Sequence, residues 1–271
     1  MILTRIIITI ILTSSYIQLC TSDKPARGSG SICNTGKRQS PIDLRPHTFF
    51  HDPSSLQLIN YDFIPERFEV HNDGHTVHLK NFIWANNSPF MTGKSLKNER
   101  YIFKAAHLHW SSDDHSGSEH SLVGKRFAAE LHLVHYNGKY NSSEEASRHS
   151  DGLAVMGVIY ATRNYQIPNA GMKLFASLAQ TVKQPKESND EVEPFPLSSF
   201  ISELDELYTY SGSLTTPPCI ENVRWIVLSK TMPISPKIIH MFRNVRLSDG
   251  HKNNVRPLQA LNNRVIQLYK I

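Results

Sequence analysis

HLHW at residues 107–110 and AELHLVHY at residues 129–136 are two runs with the alternating character of β-strands. Residues two apart in a strand point to the same face, so His107 and His109 project together. In the second run, Glu130, His132 and Val134 share one face by the same rule. If the two strands pair, three imidazoles converge on one point.

Three neutral histidines around one open position form a catalytic zinc site. A closed structural site needs a fourth protein ligand, usually cysteine, and neither run has a cysteine nearby. Histidine pairs of this spacing also occur as ordinary surface or core residues, and the two runs alone leave that alternative open. The zinc-protease motif H-E-x-x-H is absent from the sequence.

The rest of the chain is rich in short strand patterns separated by Gly, Pro, Asn and Asp. Helical patterns are fewer. They comprise Met172–Val182, a short helix that opens at Ser235-Pro236, and a weaker candidate at Pro196–Leu207. The predicted class is mainly β (α+β), a single domain with a large twisted, mostly antiparallel central sheet and short peripheral helices. The other predicted strands are Phe68–Val70, Thr76–Leu79, Val155–Tyr160, Val223–Leu228 and Arg264–Tyr269.

The composition is that of a globular protein of 271 residues, with 39% hydrophobic and 20% charged residues. Three cysteines are too few for a disulfide-rich scaffold or a cysteine-rich zinc module. The formal net charge of +5 comes without a dense block of Lys and Arg. We therefore expect no nucleic-acid partner.

The first residues are typical of a secretory signal peptide. Arg5 supplies the positive charge and residues 6–12 the apolar core, which is too short to span a bilayer. We predict that residues 1–22 are cleaved and that residues 23–271 form the mature domain. No apolar tail follows Tyr269, so we expect an extracellular protein without a membrane anchor.

Secretion places the two cysteines that lie outside the predicted signal peptide in an oxidising compartment. Cys33 and Cys219 are then expected to form a disulfide, the alternative being two free buried thiols. Asn86 and Asn141 each begin an Asn-x-Ser sequon and are candidate glycosylation sites.

Eight blocks in order closely resemble the alpha-class carbonic anhydrases, over roughly residues 33–271. Eight ordered blocks are far more specific than any one of them. They are Gln39–Asp43, Asn72–His75, His107–Trp110, Gly117–His120, Ala129–His135, Asp151–Gly157, Ser213–Pro218 and Asn254–Pro257.

The resemblance implies that His107, His109 and His132 hold Zn²⁺. Zinc-bound hydroxide would attack CO2 and yield bicarbonate and a proton, as in that family. His75 matches the proton shuttle, since histidine titrates near neutral pH. Sulfonamide-type inhibitors are expected ligands of such a site. The oligomeric state stays open.

Other matched positions surround these residues. Thr215 matches the threonine that orients the hydroxide, and Glu119 the carboxylate that accepts the threonine's proton. Glu130 and the Asn254 carbonyl match the groups that orient ligand histidines. The expected substrate pocket consists of Val134, Val155, Leu214, Thr216, Val223 and Trp225.

The chain also departs from the family pattern. Ala105 stands where a glutamine usually orients the first ligand, and residues 21–38 lack the usual aromatic residues. His78 and Asp73 replace polar neighbours of the shuttle. Besides an active secreted enzyme, two alternatives are therefore retained: a weak or inactive binding or matrix protein on the same fold, and a zinc hydrolase of esters or peptides.

Overall fold

The computed structural model describes residues 31–271, with the exception of residues 53, 86, 165–168 and 202. The predicted signal peptide, residues 1–22, and Asn86 of the first sequon lie outside the described residues and stay predictions. None of the helices in the described part combines the length and apolar character needed to cross a membrane.

The described residues form short helices and many strands. The α-helices are α1 (Ile32–Thr35), α2 (Ser143–Ala146), α3 (Ala170–Ala179) and α4 (Pro236–Arg243), and 3-10 helices occur at Lys94–Leu96, Leu197–Phe200 and Ser248–Gly250. The strands are β1 (Asp43–Leu44), β2 (Thr48–His51), β3 (Gln57–Ile59), β4 (Arg67–Asn72), β5 (Val77–Ile83), β6 (Phe90–Thr92), β7 (Tyr101–Trp110), β8 (Ser121–Leu122), β9 (Ala129–Asn137), β10 (Leu153–Thr162), β11 (Ser188–Asn189), β12 (Glu206–Gly212), β13 (Val223–Leu228), β14 (Met232–Ile234) and β15 (Gln267–Lys270).

One large sheet dominates the described part of the chain. Its strands follow the order β11-β4-β5-β7-β9-β10-β13-β12-β15-β2, with β14 beside β10, β6 beside β7 and β3 beside β6. Most neighbours are antiparallel, whereas β10 runs parallel to β13 and β14, and β15 runs parallel to β2. The predicted mainly β class, with a mostly antiparallel sheet and few short helices, is confirmed.

The middle of this sheet is covered on both faces. Every residue of β10 from Leu153 to Ala161 is buried, which explains why that strand is apolar at nearly every position. Neighbouring residues of β13 enter different cores. Trp225 packs into one hydrophobic cluster and Ile226 into the other. The sheet therefore separates two layers of apolar side chains.

The predicted helices agree only in part with the structure. Helix α4 begins after Ser235, whose side chain caps the helix by accepting a hydrogen bond from the Ile238 N–H at 3.3 Å. Helix α3 overlaps the predicted helix Met172–Val182 but ends at Ala179, and its Leu174 is exposed. The predicted helix Pro196–Leu207 is wrong. A 3-10 turn forms there instead, and its Phe200 carbonyl accepts hydrogen bonds from a tyrosine and an asparagine side chain.

The predicted disulfide joins Cys33 and Cys219 across 186 residues of sequence. It fastens the start of the described chain to the segment that follows β12. Asn141 of the second sequon is exposed just before α2, and its glycosylation stays a prediction.

On the face of β9 that points away from Glu130 and His132, a histidine is buried in the larger of the two apolar layers. His135 is fully buried, and its Nε2 lies 2.5 Å from the Tyr61 hydroxyl. Burial lowers the pKa of His135 to about 3. The neutral ring is therefore the form that the folded protein accommodates.

This burial predicts an acid-dependent loss of stability. The unfolded chain binds a proton at His135 near pH 6.5 and the folded chain only near pH 3, so unfolding is favoured as the pH falls through this window. We expect the free energy of unfolding to lose up to about 1.4 kcal/mol per pH unit from this residue. Urea unfolding between pH 7.5 and 4.5 should show a weaker pH dependence in His135→Gln than in wild type. The exposed control His51→Gln should keep the wild-type dependence, and equal slopes in all three proteins would contradict the prediction.

Candidate metal centre

Strands β7 and β9 bring the three predicted ligand histidines together. Their antiparallel register sets His107 directly opposite His132 and His109 opposite Glu130. The ring centroids of His109 and His132 lie 4.6 Å apart, and each lies 5.1 Å from that of His107. One potential ligand atom from each ring falls within 4.8 Å of the other two. The three side chains could therefore hold one metal ion.

Hydrogen bonds determine which ring nitrogen faces the centre. His109 Nδ1 lies 2.8 Å from the Asn254 carbonyl, so its Nε2 is left free. That Nε2 is buried and has no hydrogen-bond partner among the described residues. His132 Nε2 lies 2.8 Å from Glu130 Oε1, which leaves Nδ1 free. An unpartnered nitrogen in such a place fits metal coordination, because buried polar atoms are otherwise hydrogen-bonded.

The charge state of the rings also fits a metal. Burial, reinforced by His109 and His132, holds the pKa of His107 well below its usual value. Burial likewise lowers the pKa of His132, although Glu130 opposes the shift. Both rings are therefore neutral at physiological pH, which is the form of imidazole that binds a metal.

A second group of possible ligands consists of His120, Glu130 and His132. Glu130 Oε1 lies 2.7 Å from His120 Nδ1, and Oε2 accepts a bond from the His120 backbone N–H at 2.8 Å. These distances are those of hydrogen bonds. Burial alone would raise the pKa of Glu130, but its electrostatic attraction to His120 and His132 and its hydrogen bonds with them hold it well below its usual value. Glu130 is thus an ionised acceptor between two histidines, and both of its carboxylate oxygens already take part in hydrogen bonds.

Glu119 lies on the loop before β8 and points at the same centre. Its Oε1 accepts a hydrogen bond from the Arg256 backbone N–H at 2.9 Å. Its Oε2 lies 3.5 Å from His109 Nε2 and has no hydrogen-bond partner among the described residues. The carboxylate is 1% exposed, so one buried acceptor beside the centre is still available.

Nearly the whole described chain matches one known family. A family model described as eukaryotic-type carbonic anhydrase covers residues 26–270. The chain belongs to this carbonic anhydrase family. The activity of this family is the reversible hydration of CO2. The similarity to named members of the family identifies the chain as an enzyme of this kind.

Those relatives match most of the chain. Carbonic anhydrase 6 of Bos taurus is 35% identical over 239 residues, which are 86% of this chain and 73% of that protein. Putative carbonic anhydrase 5 of Caenorhabditis elegans is 36% identical over 242 residues, 87% of this chain and 76% of that protein. Human carbonic anhydrase 3 is 33% identical over 240 residues, 86% of this chain and 89% of that protein.

The segment after β12 carries the matched threonines of this carbonic anhydrase. Thr215 is nearly buried and Thr216 half-buried. Glu119 Oε2 has no hydrogen-bond partner among the described residues, so the Thr215 hydroxyl does not bond to it in this structure. The hydrogen bond that the resemblance implies between Thr215 and Glu119 is therefore not formed.

Most residues of the expected substrate pocket lie on three adjacent strands. Val155 of β10 lies opposite Val134 of β9 and opposite Trp225 of β13. Val223 and Leu214 belong to the same apolar cluster, in which Leu214 and Val134 are only partly buried. The Trp225 ring centroid lies 4.8 Å from that of His132. An apolar wall therefore stands directly beside the centre.

The predicted shuttle lies on the turn between β4 and β5. His75 is half-buried, its backbone N–H bonds to Asp73 Oδ1 at 2.7 Å, and its carbonyl accepts from Asn254 Nδ2 at 3.0 Å. The neighbouring His78 bonds to Asp73 Oδ2 at 2.8 Å, and its ring centroid lies 5.4 Å from that of His107. Asp73 and His78, which replace the usual polar neighbours of the shuttle, therefore bond to each other. They lie on the same side of the sheet as the metal ligands.

The sequence interpretation assigned no role to His120, Tyr210 and Ser40. His120 Nε2 lies 2.7 Å from the Tyr210 hydroxyl, which donates to Ser40 Oγ at 2.8 Å. A buried chain of hydrogen bonds thus runs from Glu130 through these residues to the N-terminal segment. The run Gly117–His120 was matched as a block, but only pairing in space could join its histidine to Glu130.

Glu130→Gln is expected to weaken metal binding about 10- to 100-fold, the usual cost of losing a group that orients a metal ligand. Glutamine has one acceptor oxygen, whereas Glu130 accepts from two histidine rings and a backbone N–H. Competition with a chelator measures the affinity, and the exposed Glu193→Gln serves as control. Equal affinities in wild type and Glu130→Gln would contradict the prediction.

Proposed function

We propose that this chain hydrates CO2 reversibly to bicarbonate and a proton, using one Zn²⁺ held by His107, His109 and His132. The buried and unpartnered His109 Nε2, between two further neutral imidazoles, is the observation that carries the proposal. Nitrogen donors in a three-histidine set suit zinc. Zinc in this position lowers the pKa of water to about 7 in carbonic anhydrases, so a nucleophile is available at neutral pH.

Thr215 and Glu119 would orient that nucleophile. In the working enzyme the Thr215 hydroxyl would donate to the free Glu119 Oε2. It would then have only lone pairs to offer and would accept a hydrogen bond from the nucleophile. The lone pair that attacks carbon is thereby turned toward the apolar wall of Val134, Val155 and Trp225. The Thr215 backbone N–H stabilises the negative charge that develops on the substrate oxygen.

His75 would carry the released proton to solvent. It is half-buried, and no hydrogen bond to its ring occurs among the described residues. An imidazole in that setting can accept a proton on one nitrogen and release another to buffer. Sulfonamides are expected to bind as they bind to the family. We also propose that the protein is secreted, which the signal-like residues 1–22 and the disulfide support.

Stopped-flow CO2 hydration by the mature protein with stoichiometric zinc tests the proposal. Rapid hydration that a sulfonamide abolishes is the expected result. Zinc binding without hydration would instead favour the weak or inactive binding protein retained from the sequence. Failure to bind zinc would contradict the metal site itself. A preference for activated esters over CO2 would favour a hydrolase.

The departure at Ala105 gives a gain-of-function prediction. Ala105 lies two residues before His107 on β7, and His107 has no hydrogen-bonded acceptor among the described residues. Ala105→Gln places an amide oxygen on the same face, so we expect zinc affinity to rise about tenfold. Lys104→Gln introduces the same side chain at the exposed neighbouring position, in the β-bulge between Phe103 and Ala105, and is the control for the chelator competition. An Ala105→Gln affinity no higher than wild type would mean that His107 is already oriented by water.

A further inference from the structure

The N-terminal arm, defined here as residues 31–40, is bonded to both ends of the segment that carries Thr215. After Thr215, Cys219 is bonded to Cys33, and its carbonyl accepts from Gln39 Nε2 at 3.1 Å. Before Thr215, Ser213 and Ser40 exchange two hydrogen bonds of 2.9 and 3.0 Å, each between a backbone N–H and a hydroxyl oxygen. The arm therefore spans residues 213–219 from one end to the other.

Arg256 links this arm to the other half of the proposed pair. Its guanidinium donates to the Cys33 carbonyl at 2.8 Å and to the Ser40 carbonyl at 2.6 Å, near the two ends of the arm. Its backbone N–H donates to Glu119 Oε1 at 2.9 Å. One residue thus contacts the arm through its side chain and Glu119 through its main chain.

Arg126 strengthens the connection on the Glu119 side. Its Nη2 donates both to the Glu119 carbonyl and to the Arg256 carbonyl, each at 3.2 Å. The Arg126 side chain therefore bridges the backbones of Glu119 and Arg256.

We infer that Arg256 is a positioning residue: its side chain fastens the arm that holds the Thr215 segment, and its backbone N–H holds Glu119, so that the two are aligned. The inference rests on the proposed roles of Thr215 and Glu119. A planar guanidinium suits the task, because its fork of N–H groups reaches two carbonyls at once while an ammonium is a point charge. The bridge also explains how an arm without aromatic residues is held on the protein.

Misalignment should appear in the reaction more than in binding. The orientation of Thr215 matters for the transition state, so losing it lowers kcat while KM stays nearly constant. A displacement of about 1 Å at a reacting group can reduce the rate about 100-fold. We therefore expect Arg256→Met to lower kcat about 10- to 100-fold while zinc stays at one ion per chain.

Arg264→Met is the matched control. Arg264 is half-buried like Arg256, and its guanidinium also donates to backbone carbonyls, at Leu261, Ala260 and Ser211. It makes no contact with Glu119. This variant is expected to lose stability comparably and to keep the wild-type kcat. Arg256→Lys, which can serve one carbonyl at a time, should recover part of the lost rate.

The experiment uses the disulfide-bonded, zinc-loaded protein and measures kcat, KM, zinc content and the unfolding midpoint of each variant. Equal kcat in Arg256→Met and Arg264→Met would overturn the inference, as would a loss of kcat in Arg256→Met that merely follows its zinc content. If Arg256→Met does not fold, a wild-type kcat in Arg256→Lys overturns the inference instead.

A readout without catalysis separates this inference from the proposed function. Amide hydrogen exchange over residues 213–219 should be faster in Arg256→Met than in Arg264→Met, whatever the reaction is. Wild-type protein without CO2 hydration would contradict the proposed function only. Unchanged exchange over residues 213–219 would contradict the alignment by Arg256 even in an active enzyme.

Discussion

His109→Ala is expected to lose both the bound zinc and essentially all CO2 hydration. The imidazole is 2% exposed, and its Nε2 is the buried nitrogen without a partner among the described residues. Alanine leaves two histidines, fewer than the three protein ligands of catalytic zinc sites. The fall in kcat/KM should be at least about 10³-fold, because water without the metal no longer ionises near neutral pH.

The variant is compared with His115→Ala, which removes an exposed histidine from the loop after β7. Zinc content is measured by elemental analysis and hydration by stopped flow on the same samples. His115→Ala should match wild type in both measurements. A His109→Ala protein that keeps one zinc per chain and wild-type hydration would refute the three-histidine site.

Thr215→Val is expected to keep zinc and to lose about 100-fold in kcat/KM. Valine has nearly the shape of threonine but neither donates to Glu119 nor accepts from the nucleophile. The nucleophile is then free to turn, and the buried Glu119 Oε2 stays without a donor. Zinc retention distinguishes this loss from that of His109→Ala.

Thr209→Val makes the same chemical change elsewhere in the protein. Thr209 is fully buried on β12, and its hydroxyl has no hydrogen-bond partner among the described residues. Its replacement should leave kcat/KM and zinc content at wild-type values. If both valine variants behave alike, Thr215 has no part in orienting the nucleophile.

Local patterns were sufficient for the strands of the site. The alternation of β7 and β9 predicted that His107 and His109 share a face of one strand and that Glu130 and His132 share a face of the other. The strand predicted at Val223–Leu228 has the observed bounds. A strand of period two needs only neighbouring residues to determine its faces, so these features follow from short stretches of sequence.

Patterns in helices and chain ends were less informative. Pro196–Leu207 has helical spacing, but hydrogen bonds from distant side chains hold a turn there before β12 begins. Arg264–Tyr269 was predicted as a strand and begins only at Gln267. Tertiary contacts override weak local preference in both places.

By itself the sequence predicted the mainly β class, a disulfide between Cys33 and Cys219, and three histidines that converge if their two strands pair. The free nitrogen of each ring, the link from Glu130 through His120 to Ser40, and the bridge of Arg256 to the arm were decided only by the tertiary structure. The physical reason is sequence distance. Arg256 lies 223 residues from Cys33, to whose carbonyl it donates. Hydrogen bonds of that separation depend on how the sheet brings its loops together and leave no periodic trace in the chain.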